Sequence, residues 1–303
     1  MIMGDMRMRM TYHCRRAFNR VEISNPDGPN NLMRAVSYIA SCLLAVAAMP
    51  SALVWADTVP TLSTFDQVIL VDNGETWQTS GVVLGVRRDY SVAVTVTGVG
   101  SVWQNSYSAI DVGKYGQGGV NVEGGGAVFN DSSTRLGWNP TASGSVNVTG
   151  AGSRFENTGS LYVGYAGTGH LFIGNGGVVN NYLGYIGYAD GVYNSATVNG
   201  AGSEWTSRGM LTVGRFSTGE LDVRNGGIVN SIGGRLGQYG TGTTTVSGIG
   251  SAWNIVGDLE VGYTGGTGTL NIDDGGSVNL TEVVMVGGYP GATDGDSICF
   301  NGG

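Results

Sequence analysis

The phrase Gly-x-Gly-Ser-x-aromatic returns four times at nearly constant spacing, and no other feature narrows the possible folds so far. It reads Gly98-Val99-Gly100-Ser101-Val102-Trp103, Gly150-Ala151-Gly152-Ser153-Arg154-Phe155, Gly200-Ala201-Gly202-Ser203-Glu204-Trp205 and Gly248-Ile249-Gly250-Ser251-Ala252-Trp253. The leading glycines lie 52, 50 and 48 residues apart. A fixed period in this range belongs to solenoids and propellers, whose units bury their apolar faces only against their neighbours.

Companion phrases halve the unit. Val-Gly steps occur at Val112-Gly113, Val163-Gly164, Val213-Gly214 and Val261-Gly262. Gly-Gly-x-Val steps start at Gly125, Gly176, Gly226 and Gly275, and further apolar-Gly steps stand at Leu136-Gly137, Ile186-Gly187, Leu236-Gly237 and Val286-Gly287. Each half of roughly 25 residues then holds three short strands with period-two alternation, separated by glycine turns. This pattern predicts an all-β right-handed parallel β-helix of roughly nine such coils, with no stable helix outside the leader. A propeller needs four antiparallel strands per blade, which these evenly spaced short strands do not supply. Val, Leu and Ile at alternating positions should stack inward in columns. The aromatics Trp103, Phe155, Trp205 and Trp253 are expected to cap or line one edge of the coil. Asn180, Asn230 and Asn279 follow successive Gly-Gly-x-Val steps and suggest a side-chain amide ladder.

Composition agrees. Glycine fills 55 of 303 positions, yet there is no Gly-x-y triplet period and 41% of residues are hydrophobic, so collagen and disorder are both excluded. Residues 57–303 carry Lys114 and eight Arg against twenty carboxylates, a balance that disfavours nucleic acid and anionic membranes as partners. Cys14 and Cys42 precede the repeats and leave Cys299 alone after them, so no disulfide staples the array.

The chain divides into four segments. Residues 1–56 read as a leader: Arg34 precedes an apolar run from Ala35 to Trp55, and Val54-Trp55-Ala56 places small residues for signal peptidase cleavage after Ala56. The leader is either extended or starts at Met33. Ile39-Ala40-Ser41-Cys42 resembles a lipoprotein box, but apolar residues continue past it. Residues 57–65 form a linker or N-terminal cap, residues 66–290 the array, and residues 291–303 an incomplete last coil. That ending reads as a fragment or a frameshift.

Chemistry is scarce. His13 lies in the leader, so a nucleophilic triad could use only His170, at a position expected to face solvent. Metal clusters fail for the same shortage. No Gly-x4-Gly-Lys-Ser/Thr loop exists. Polysaccharide-cleaving β-helices use carboxylate pairs, but Glu123, Asp222 and Asp273 are scattered among units, and Asp273-Asp274 reads as turn chemistry. Arg87-Arg88 and Lys114 form no basic stripe in the sequence. No catalytic, cofactor or metal site is expected. The glycines, serines and aromatics of the four phrases are assigned structural positions in the repeat.

In fixed order, Val-x-Gly-x-Gly-Ser-x-Trp, Leu-x-Val-Gly and Gly-Gly-x-Val resemble the repeats of type V secretion (autotransporter) passengers and of PEP-CTERM-associated exported proteins of Gram-negative bacteria. The resemblance covers roughly residues 66–290. It implies a non-catalytic β-helical passenger, exported through the inner- and outer-membrane machinery and displayed at the cell surface or outside the cell. There it would have a structural or adhesive role toward a host, surface or polysaccharide ligand. No C-terminal barrel and no Pro-Glu-Pro sorting tail appear in the sequence. A polysaccharide-active β-helix enzyme and a PEP-CTERM-type matrix protein are the alternatives.

Overall fold

The computed structural model describes residues 53–55, 67–189, 192–287 and 295–301. Within them the chain winds through nine coils of three strands each, and no helix occurs. Face A carries the long strands, beginning with Gln67–Val71 and Ser91–Thr97 and running to Thr267–Asp273 and Ser297–Asn301. Face B carries four-residue strands from Thr76–Thr79 and Val102–Asn105 to Ser277–Leu280. Face C is the narrowest, with three-residue strands such as Val82–Leu84, Ile110–Val112 and Leu161–Val163. In two coils, faces B and C merge into single strands, Glu204–Val213 and Ile228–Leu236. Every pairing is parallel and joins a strand to its counterpart one coil away. The rise is therefore about 4.8 Å per coil. Leu53–Trp55 also pairs in parallel with Thr76–Gln78 at the start of face B. The rest of the leader, its cleavage point and the linker at 57–65 lie outside the described residues.

Face A shows why the alternation folds this way. Its strands read exposed-buried-intermediate-buried, as in Ser91–Thr97 and Thr241–Ser247. One inward column stacks Val96, Val122, Val148, Ile173, Val198, Val223 and Val246, and its neighbour stacks Val94, Val120, Val146, Leu171, Ala196, Leu221, Thr244 and Leu270. β-Branched side chains suit these columns because their single favoured rotamer repeats without clash. Thr244 is the polar member of these columns. It is fully buried, and its hydroxyl has no hydrogen-bond partner.

The aromatics of the repeated phrase are core residues rather than edge residues. Trp103, Phe155, Trp205 and Trp253 are all 0% exposed. From Trp103 onward they share one inward column of face B with Val128, Val179, Val229 and Val278, so large and small side chains alternate coil by coil. Each indole leans over the coil below. Trp205 and Trp253 find Gly184 and Gly234 there, and a Cβ on Gly234 would come within 2.9 Å of the Trp253 ring and 2.7 Å of Leu259. Only Trp77 and Trp103 meet directly among these rings, stacked at 4.9 Å between centroids.

Beside that column runs a buried polar ladder. Asn105 donates to Asn130 at 2.7 Å, and Asn130 donates to Asn157 at 2.6 Å. The indole N–H groups complete it: Trp103 donates to Thr79, Trp205 to Asn181 and Trp253 to Ser231, at 2.9, 2.6 and 3.0 Å. Each polar atom thus finds a partner within the dry interior, which burial requires. The outward amides behave partly as expected. Asn230, Asn254 and Asn279 form a ladder, with Asn254 filling the coil between, whereas Asn180 donates to Glu156.

The corners explain the remaining letters of the phrase. Gly98 and Gly100 hold φ values of 89° and 85°, a region closed to most side chains. The other three copies keep the same pattern: Gly150, Gly152, Gly200, Gly202, Gly248 and Gly250. Ser101, Ser153, Ser203 and Ser251 are buried and accept hydrogen bonds from Gly74, Gly125, Gly176 and Gly226 of the coil below. In alternate coils the same corner is a turn with two left-handed residues, such as Asn175-Gly176 or Asn225-Gly226. Asp274 occupies that position with φ 50°, as turn chemistry predicted.

Two substitutions probe this packing. Thr244→Val removes an unpaired buried hydroxyl at constant shape, and chemical denaturation is expected to show a gain of about 1–3 kcal/mol. Gly234→Ala is expected to lose about 1–3 kcal/mol through overpacking. In a Trp253→Phe background that loss should shrink, so a double-mutant cycle reads the contact directly.

Candidate functional site

Side chains outside the core columns form an ordered set on face C, in which Asp111, Thr212 and Glu260 are covered by their neighbours. The middle residue of each short strand gives one column: Asp111, Arg135, Tyr162, Tyr185, Thr212, Arg235 and Glu260. The residue after the next glycine gives a second column at the corner leading to face A: Lys114, Trp138, Tyr165, Tyr188, Arg215, Gln238 and Tyr263. Backbone bonds fix its register, since Trp138, Tyr188, Arg215, Gln238 and Tyr263 each donate N–H to the corresponding glycine carbonyl one coil below.

Stacking follows from the 4.8 Å rise, which nearly matches the preferred separation of offset aromatic rings. Trp138 stacks on Tyr165 at 4.9 Å, Tyr165 on Tyr188 at 5.2 Å and Tyr162 on Tyr185 at 5.2 Å. Edge contacts bind the two columns together, Tyr162 meeting Tyr188 at 4.7 Å and Tyr185 meeting Tyr188 at 5.2 Å. Cations close both ends. The Arg135 guanidinium lies 3.7 Å from the Trp138 ring centroid, and the Arg215 guanidinium lies 4.3 Å from that of Tyr188. Lys114 and Arg235 extend the arrangement over Trp138 and Tyr263.

Charge is arranged as well. Arg135 pairs with Asp111 at 2.7 Å, and Arg235 pairs with Glu260. Burial pushes the Asp111 carboxyl above its usual range in spite of the neighbouring Arg135, and burial likewise raises the Tyr185 phenol. Among the described residues no carboxylate forms an ion pair with Lys114 or Arg215. Arg87 and Arg88 stand in the loop between face C and face A in the coil below Lys114. No basic stripe is visible along the chain because these residues are far apart in it. Winding aligns Lys114, Arg135, Arg215 and Arg235 on one surface.

The catalytic candidates are dispersed. His170 is exposed on face A, with Nδ1 2.9 Å from the Ser195 hydroxyl. Glu220 lies one coil further along the same column, beyond Ser195. A triad needs the histidine between nucleophile and acid, so the order here is wrong. Glu123 and Asp273 end their strands in separate coils. Asp222 pairs with Arg224 at 2.8 Å, and burial raises its carboxyl, with Glu220 adding to the rise. Glu220 accepts a hydrogen bond from the Tyr193 hydroxyl, whose pKa is pushed up to about 12 chiefly by that bond. Tyr193 also borders a shallow groove of about 350 Å³ with Phe216, Ser217 and Thr241. Among the described residues no group of three or more His, Cys, Asp or Glu side chains is placed to hold a metal ion.

Comparison with known proteins adds little. No family model and no curated protein matches this chain. Among solved structures, a TibC-catalyzed hyper-glycosylated TibA fragment is similar at 17% identity over 78% of this chain and 95% of that one, with a TM-score of 0.21.

The Tyr193–Glu220 contact is open to measurement. Site-resolved tyrosine titration is expected to find Tyr193 ionising late, at about 12, while Glu220→Gln returns it toward the ordinary value of 10.0.

Proposed function

We propose that the protein is an exported, surface-displayed β-helical passenger with a structural or adhesive role and no catalytic activity. The observation that carries this reading is the continuous register of face A through the nine coils, in which no described insertion builds a catalytic cleft. Such an array is a rigid rod that presents one side chain per coil at fixed intervals, suited to spacing and to distributed contact. The signal-peptide pattern, the acid-rich composition and the lack of cysteine in the array support passage out of the cell. Its partners are then the export machinery and a surface or polysaccharide ligand, with no nucleic acid among them. Surface proteolysis of intact cells, read with an antibody to the array, is expected to degrade the chain. Protection equal to that of a cytoplasmic marker would sink the proposal.

A polysaccharide-active enzyme is the second reading. It is favoured by Glu220 and Asp222, two carboxylates on one strand face near the groove at Tyr193. Turnover of a polysaccharide that disappears in Glu220→Gln and Asp222→Asn would establish it in place of the first. A PEP-CTERM-type matrix protein remains a variant of the display reading, differing in the mode of attachment.

A further inference from the structure

We infer that the stripe from Lys114 to Tyr263 is a binding surface for an acidic polysaccharide, one whose carboxylates engage Lys114 and Arg215. The inference rests on the display reading for the place where such a polymer would be met.

Charge gives the first argument. Residues 57–303 hold nine basic side chains against twenty carboxylates, yet four of the nine stand on this one surface. In its two columns the carboxylates among the described residues are Asp111 and Glu260, and both are already engaged by Arg135 and Arg235. Lys114 and Arg215 have no ion-pair partner among the described residues. An acidic rod thus carries a cationic strip, and a long-range field steers an anion toward it.

Presentation gives the second. A guanidinium held against aromatic rings keeps N–H groups that match a carboxylate. The Arg215 guanidinium lies 4.3, 5.0 and 5.6 Å from the ring centroids of Tyr188, Phe216 and Tyr185, so it is positioned before a ligand arrives and less conformational entropy is lost on binding.

The rings themselves exclude other ligands. Trp138, Tyr165 and Tyr188 use their faces on one another and on the two arginines. What remains outward is ring edges and polar groups rather than open platforms. Neutral sugars and nucleobases that need a free aromatic face are therefore poor occupants. Acidic peptides that add as a strand find no edge, because the face C backbone is paired above and below. The corner column crosses seven coils, roughly 29 Å at the rise of a parallel sheet. That length, open along its course, suits a polymer over a single small anion.

The test uses the full chain and polygalacturonate, with fully methyl-esterified polygalacturonate, dextran and polyglutamate as comparisons, read by titration calorimetry at two salt concentrations. Polygalacturonate is expected to bind, and more weakly as salt rises. Arg215→Gln and Lys114→Gln together should weaken it at least about tenfold, the equivalent of one charge-assisted contact. Arg208→Gln, on an exposed side chain away from the stripe, should leave affinity unchanged, and circular dichroism should match for all variants. The inference is overturned if polygalacturonate fails to bind or if the double variant binds as well as the parent. Equal binding of the esterified polymer, dextran or polyglutamate overturns it too. Surface proteolysis is independent of every one of these outcomes, so failure of the site and failure of the display reading are separately visible.

Discussion

In-register parallel pairing is the constraint on which the rest of this molecule depends. It sets each residue directly over its counterpart one coil away, so a side chain's principal neighbour is whatever occupies the same position in the next coil. A position therefore has to be compatible with itself at about 4.8 Å. Valine satisfies this in the core, and asparagine satisfies it where an amide donates upward and accepts from below. Tyrosine satisfies it outside, where rings stack. An indole enclosed among inward side chains does not. It needs the space of more than one coil, which is why Trp205 and Trp253 alternate with Val179, Val229 and Val278 and lean over Gly184 and Gly234. The sequence repeats every 50 residues or so while the structure repeats every 25, because the ring–valine column and the corner turns both alternate from coil to coil.

Much of this was legible in the chain itself. Glycines with positive φ and alternating valines mark corners and strands, so coil number and strand count follow from spacing. The buried Asn105–Asn130–Asn157 ladder was harder to see. It stands two residues beyond the aromatic position, and later coils replace it with Ser207, Ser231 and then Ile255, so no single letter recurs. Reading that offset down the repeat, and asking where each indole N–H would be satisfied, would have found it. The amide ladder expected at Asn180, Asn230 and Asn279 was half visible, because its linking residue Asn254 belongs to the alternate coil.

The outward stripe escaped for a related reason. In Leu-x-Val-Gly-x the two variable places look uninformative along the chain, yet they are the ones free to vary because the core does not hold them. Reading Tyr162 beneath Tyr185, and Trp138 beneath Tyr165 and Tyr188, requires the coil length to be known first. The division of labour is physical. Positions that repeat carry the fold, and positions that change carry whatever distinguishes one stretch of the rod from another.

The alternation of Trp or Phe with Val in the face B column also bears on how such a chain can change its length. Excising one coil from the middle would set two fully buried rings, or two valines, in adjacent layers; the rings that do meet in this column, Trp77 and Trp103, do so where Trp77 is only half-buried, so the first case crowds the core and the second leaves a void. Excising or duplicating two coils together restores the pattern at the junction. Between Trp103 and Val278, where rings and valines alternate, growth or loss by pairs of coils therefore keeps the packing intact.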